Sequence, residues 1–443
     1  MLKCLILLEE EAFLTIFAHK QFSKPHMTSI VGVLNKHAVA IAADSAVTIG
    51  GKKVFNSANK IFALSKRQPV AVAMYNNTEL ISVPWEVMIK EYRRSLGENK
   101  FPHLKDYVTD FFKFLSDHDY YTTKEEQKKY LFEQFVGYIG ALAYETKRDL
   151  EEGKVFETEF IKKIVGLQSK YKKGRIPNES MADMTLEKFS AQCDEGINLT
   201  INEIKNISKQ DIDKKIVTDL LYSIFCCRIW LANCTGLVFA GYGDEDIYPS
   251  IYSYQTHCVI DGKLSYAHIT GEDCEIGSKL VAAIRPFAQR DVMDTIIFGV
   301  APSVKNTYSE NFIEPMRKML TDLANQLEPS SKDAANVLRT FAQNKMENYR
   351  NNYMALCDAS ANSIYMQPFV NSVIPLDRED LAEFAESLIK LTSIKRKISL
   401  DQSTVGGPID VMVISKGEGI IWMKRKHYFD PKLNHGFFDN YFK

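Results

Sequence analysis

From residue 29 the apolar positions fall into short, β-branched or small-residue runs. Ser29–Leu34 and Ala38–Ala43 are two such runs, and Asn35-Lys36-His37 between them is a hairpin signal. Gly50-Gly51 offers a second turn before Val54 and Phe55. A third strand is predicted over Ile61–Leu64. The polar stretch Lys66-Arg67-Gln68-Pro69 then leads into a further strand over Val70–Met74. There the period changes. Asn76-Asn77-Thr78-Glu79 supplies capping residues. Ile81, Trp85, Met88, Ile89 and Tyr92 share one helical face, with Pro84 in the first turn. Leu104, Tyr107, Val108, Phe111, Phe112 and Leu115 repeat that face.

The stretch 120–235 reads as charged and helical, opening with Lys124-Glu125-Glu126-Gln127-Lys128-Lys129. Its basic run, Lys170 to Arg175, reads as a solvated loop. Ile216, Leu220, Ile224, Cys227 and Leu231 mark an apolar helix near its end. Strand character returns over 236–243, Tyr248–Ile260 and Leu264–Ile269, with a turn at Asp261-Gly262. Ala282–Phe287 and Gln289–Phe298 read as helical pieces. Tyr308–Leu327, Ser331–Tyr353 and Leu376–Leu391 read as longer helices. The last strand pair is predicted over Val405–Ile414 and up to Met423, around a turn at Lys416-Gly417-Glu418-Gly419.

Composition narrows the picture. The 443 residues are 45% hydrophobic and 25% charged, with a formal net charge of −1. That is enough chain for a large core, and the neutral balance gives no reason to expect a nucleic acid or an anionic membrane as partner. There is no apolar run of 18 residues, so no membrane span is predicted. The eight cysteines include one adjacent pair, Cys226-Cys227, and no CxxC spacing. This argues against a zinc ribbon or disulfide scaffold and fits buried thiols, such as Cys226, Cys227 and Cys234, in a reducing cytoplasm. Gly241-x-Gly243 lacks the residues that would extend it to a dinucleotide fingerprint, so its glycines read as strand-end geometry. No cofactor and no metal is expected.

The candidate chemistry lies in three evenly spaced residues, Thr28, Asp44 and Lys60, which stand at successive intervals of 16. A Thr hydroxyl is a weak nucleophile that needs an adjacent base, and an N-terminal amine is one solution. The amine's reference pKa is about 7.7–8.0, so it is partly deprotonated near neutral pH and can take the hydroxyl proton. A nearby lysine would favour the neutral amine and the developing alkoxide. An aspartate paired with that lysine would hold it and offset its burial. Singly, an Asp-Ser or Asn-Lys dipeptide is an ordinary turn. The ordered set within the strand pattern gives these residues their interest.

The segment 27–64, with these three residues and the strand order around them, resembles the first strands of a proteasome β-subunit. Val405-Gly406-Gly407-Pro408-Ile409-Asp410 resembles that family's closing Gly-Gly strand pair. The resemblance implies an α+β fold, a four-layer αββα sandwich of two antiparallel sheets of the N-terminal-nucleophile hydrolase type. It implies Thr28 as the nucleophile, Asp44 and Lys60 as its tuning pair, and the Met74 backbone N–H as oxyanion donor. Residues 1–27 read as a leader or an upstream translation artefact. Residues 28–443 read as one discontinuous domain, its core over 28–118, 236–300 and 376–428, with helical insertions over 120–235 and 301–375. Two departures stand out: Gln402 and Val405 occupy places where the family usually has Asp and Ser. The implied activity is hydrolysis of a peptide or other amide, with homo-oligomer formation and any unfoldase partner left open. A non-catalytic assembly or binding subunit and a small-molecule amidase or acylase on the same fold remain alternatives.

Overall fold

A computed structural model describes residues 28–49, 53–118, 122–170, 178–227, 234–269, 271–288, 290–344, 346–398, 406–427 and 429–436. Two antiparallel sheets dominate it. The first has five strands. Its central pair is β1 (Ser29–Asn35) and β2 (Val39–Ala43). β8 (Ala282–Ala288) pairs with β1, β9 (Asp410–Ser415) with β2, and β10 (Gly419–Lys424) with β9. The second sheet orders β7 (Lys263–His268), β6 (Ser250–Ile260), β5 (Thr235–Gly241), β4 (Val70–Asn76) and β3 (Ile61–Ala63), with Cys274–Glu275 pairing beside β6.

The period-2 pattern explains the layering, because successive side chains of a strand point to opposite faces. Ile30 and Leu34 of β1, Ile41 of β2 and Met412 and Ile414 of β9 share one buried core with Ala71, Ala73, Val238 and Ala240 of the second sheet. The alternate residues, Val31, Val33, Ala40, Ala42, Val411 and Val413, pack outward against α8 (Asp291–Phe298) and α12 (Arg378–Ile398). On the other side Val70, Val72, Leu237 and Phe239 pack outward against α1 (Trp85–Leu96) and α2 (Leu104–Asp117). Helices therefore cover the outer face of each sheet.

The first helical insertion comprises α3 (Lys124–Arg148), α4 (Phe156–Lys170), α5 (Leu186–Gln192), α6 (Asp194–Ser208) and α7 (Lys214–Cys226). It has a core of its own, which reaches Cys258 and Ile260 at the end of β6. Thr123 caps α3 in a reciprocal capping box with Glu126. The second insertion is α9 (Pro302–Leu327), α10 (Lys332–Asn344) and α11 (Met346–Ala361). The helix expected over Ser331–Tyr353 is thus α10 and the first half of α11, and that expected to reach Leu231 is helical to Cys226, with 228–233 outside the described residues.

One expected element is different in kind. Ala282–Phe287 lies in strand β8, not in a helix. The three alanines of β8 suit a helix locally. The seven-residue antiparallel register with β1 is a long-range interaction that overrides this propensity. Pro286 is tolerated because β8 is an edge strand. Gly241 closes β5 at φ +135°, where a Cβ would stand 1.9 Å from the Pro69 carbonyl oxygen, so this glycine is required by strand-end geometry.

Candidate functional site

The start of β1, the end of β2 and the residue before β3 meet at one end of the sandwich. Ser29 pairs with Ala288, and Ile30 with Ala43 immediately before Asp44. Lys60 is opposite Met74 across the β3–β4 ladder. Thr28, Asp44 and Lys60 are all buried.

Asp44 is the hub. Its Oδ1 accepts the Lys60 ammonium at 2.8 Å and the backbone N–H of Ser29, the residue after Thr28, at 2.9 Å. Its Oδ2 accepts the N–H groups of Ala46 at 3.2 Å and Gly406 at 3.3 Å. Four donors thus converge on one carboxylate. One oxygen holds both the lysine and the backbone that follows the threonine. The pair is dry, with side chains 3% and 1% exposed.

Lys60 also donates to the Ala46 carbonyl at 2.6 Å. An ammonium has three donors, so one is left without a partner among the described residues. Burial pushes the Lys60 pKa below its ordinary value, while the Asp44 charge and hydrogen bond oppose that shift. Ser29 Oγ is likewise buried with no hydrogen-bond partner among the described residues.

The closing glycines shape the site's far wall. Gly406 exchanges with the Asp44–Ser45 segment, donating to Asp44 and accepting the Ser45 N–H at 3.2 Å. Gly407 has φ +77°, and a Cβ there would lie 2.8 Å from Asn56 Cβ. Only glycine suits that turn without strain. The Ser45 hydroxyl donates to the Pro408 carbonyl at 2.6 Å. The neighbouring positions 402 and 405 lie outside the described residues.

Met74 has a different surrounding from the one an oxyanion donor needs. Its backbone N–H donates to the Lys60 carbonyl at 2.9 Å as part of the sheet. Its side chain belongs to the outer core beneath α1 and α2. The donor is therefore already engaged.

A second buried ion pair escaped the sequence reading. Asp410 opens β9 opposite Ala43, and its carboxylate accepts both the backbone N–H, at 2.8 Å, and the ammonium of Lys426. These side chains are only 5% and 10% exposed. The Lys426 charge helps depress Lys60, and Asp410 opposes it. A signal existed: Asp410 and Lys426 repeat the 16-residue interval of Asp44 and Lys60. Among the described residues no group of three or more His, Cys, Asp and Glu side chains is placed to hold a metal. No helix among them is long and apolar enough to cross a membrane.

No family model matches the chain, and none of the curated proteins does. Among solved structures, Anbu (ancestral beta-subunit) from Yersinia bercovieri is similar at 9% identity and a TM-score of 0.26, over 93% of this chain and 94% of that one. Anbu from Hyphomicrobium sp. strain MC1 gives 8% and 0.27 over the same shares. The helical assembly of the Anbu complex from Pseudomonas aeruginosa gives 7% and 0.28, over 93% and 95%. At these scores the likeness carries no argument about activity, which rests on the residues themselves.

Proposed function

We propose that the protein is a threonine-nucleophile amide hydrolase of the N-terminal-nucleophile type, acting on a peptide or related amide. The observation that supports this most is the shared Asp44 Oδ1. It joins a buried lysine to the backbone that immediately follows Thr28.

The chemistry follows from the groups present. Once Thr28 is the first residue, its amine takes the hydroxyl proton, directly or through water. The oxygen attacks the substrate carbonyl, and the C–N bond breaks. The leaving amine carries away the proton, and an ester remains on Thr28. Water then attacks the ester, giving the acid and restoring the hydroxyl. The Lys60 donor left without a partner among the described residues is suited to stabilise the alkoxide, and its positive charge favours the basic form of the Thr28 amine. Asp44 fixes Lys60 and the β1 backbone relative to each other.

The engaged Met74 N–H favours a second reading, a non-catalytic subunit of the same fold. A backbone oxyanion donor is worth roughly 2.7–4 kcal/mol in kcat. Catalysis through Met74 requires that its ladder bond to Lys60 open when substrate binds. Assay of Thr28→Ala against the parent on a panel of peptide amides and acyl amides decides between the readings. Turnover by the parent, lost in a Thr28→Ala protein that still folds, supports the hydrolase. Equal turnover in both, or none in a parent whose chain begins at Thr28, supports the non-catalytic subunit.

A further inference from the structure

α8 follows β8 directly, and one turn into it stands Asp294. Between α8, α9 and α11 lies a groove of about 430 Å³, the size of a small-ligand site. Its walls are largely apolar: Phe298 from α8, Tyr308 from α9, and Tyr353, Met354 and Ala361 from α11. The Tyr353 ring is fixed by stacking on Phe312 of α9, with centroids 4.4 Å apart and planes at 3°. Two carboxylates line the groove, Asp294 and Asp358, against the single ammonium of Lys305. Lys305 is already paired with Asp358.

Asp294 is left undercompensated. Its Oδ1 is buried with no hydrogen-bond partner among the described residues. Its Oδ2 is 3.6 Å from Arg290 Nε, a loose contact that Arg290 shares with Glu272 at 3.7 Å. Glu272 itself is held by the Ser253 hydroxyl at 2.9 Å. One guanidinium therefore serves two carboxylates at long range. Burial raises the Asp294 pKa, the Arg290 charge opposing it, as expected of an acid with too little positive charge nearby. A buried acceptor left unpaired is costly, and a donor cation would remove that cost.

We propose that this groove is a binding site for a small apolar amine, whose hydrocarbon part lies between Phe298, Tyr353 and Met354 and whose ammonium pairs with Asp294. The aromatic walls suit such a cation as well as its hydrocarbon. The site depends on neither Thr28 nor the proposed hydrolysis.

Isothermal titration of the full chain with benzylamine and with benzyl alcohol, its neutral isostere, tests the assignment. Saturable benzylamine binding is expected, with benzyl alcohol at least about ten-fold weaker. Asp294→Asn, which keeps the shape, should lower benzylamine affinity about ten-fold and leave benzyl alcohol unchanged. Ala361→Phe fills the groove from its rim and should abolish binding of both. Thr28→Ala should bind as the parent does, which separates this site from the proposed activity. Equal affinity for the two probes, no binding of either, or undiminished benzylamine binding in Asp294→Asn or Ala361→Phe would overturn the proposal.

Discussion

Two regions of the molecule handle charge in opposite ways. At the strand ends, Asp44 and Lys60 are almost wholly excluded from solvent, and backbone N–H and carbonyl groups hydrogen-bond to both. In the second insertion the same kind of pairing, Lys305 with Asp358 and Arg339 with Glu328, sits on helix surfaces, with side chains from 31% to 56% exposed. Buried, a pair costs desolvation and depends on every partner around it. Exposed, it is screened and contributes little. Burial, not pairing, distinguishes a site from a surface contact. The apolar residues follow the same division. Every residue of β1 is buried, whereas Val337 and Leu356 of the second insertion are each 68% exposed.

The largest effect should come from breaking the buried pair. Lys60→Ala leaves the Asp44 carboxylate in a dry site and should destabilise the fold by about 3–5 kcal/mol in chemical denaturation, with loss of any turnover. Replacing both partners sharpens the contrast. Asp44→Asn with Lys60→Met removes both charges and should recover most of that stability without recovering turnover. A double variant no more stable than Lys60→Ala would show that the charge pair is not what the site protects.

pH gives a smaller, signed test. Lys60 has a depressed pKa in the folded state. Between that value and the ordinary 10.5, the unfolded chain binds more protons, so this group makes unfolding free energy rise with pH. Relative to the double variant, the parent should therefore gain stability as pH is raised toward 10.5. A flat difference, or one of opposite slope, would contradict the burial of the charge. At the bottom of the scale, Arg339→Ala breaks an exposed pair and should leave the denaturation midpoint unchanged. A marked fall would erase the distinction between the regions.

What could be read in the sequence follows the range of the forces involved. β1 and β2 were legible because both faces of that sheet are covered, giving continuous β-branched and small-residue runs around a short turn. The approach of Asp44 to Lys60 was legible too, since the strands carrying them are close in sequence. β8 was not, because only its distant pairing with β1 makes an alanine-rich segment extended. The Asp410–Lys426 pair shares the 16-residue interval, but its place beside Lys60 depends on the pairing of β9 with β2, two strands far apart in the chain. The engagement of the Met74 N–H was also invisible, since spacing places a residue but does not show where its amide bond goes.

Thr28 at a free chain start is the proposed nucleophile. Its most direct test is reaction of the purified protein with a peptide epoxyketone or β-lactone, read by intact mass and peptide mapping. A single adduct on Thr28 of a chain that begins at that residue is expected, with no adduct in Thr28→Ala. An actively hydrolysing chain that still carries Met27, or equal labelling of Thr28→Ala, would contradict it.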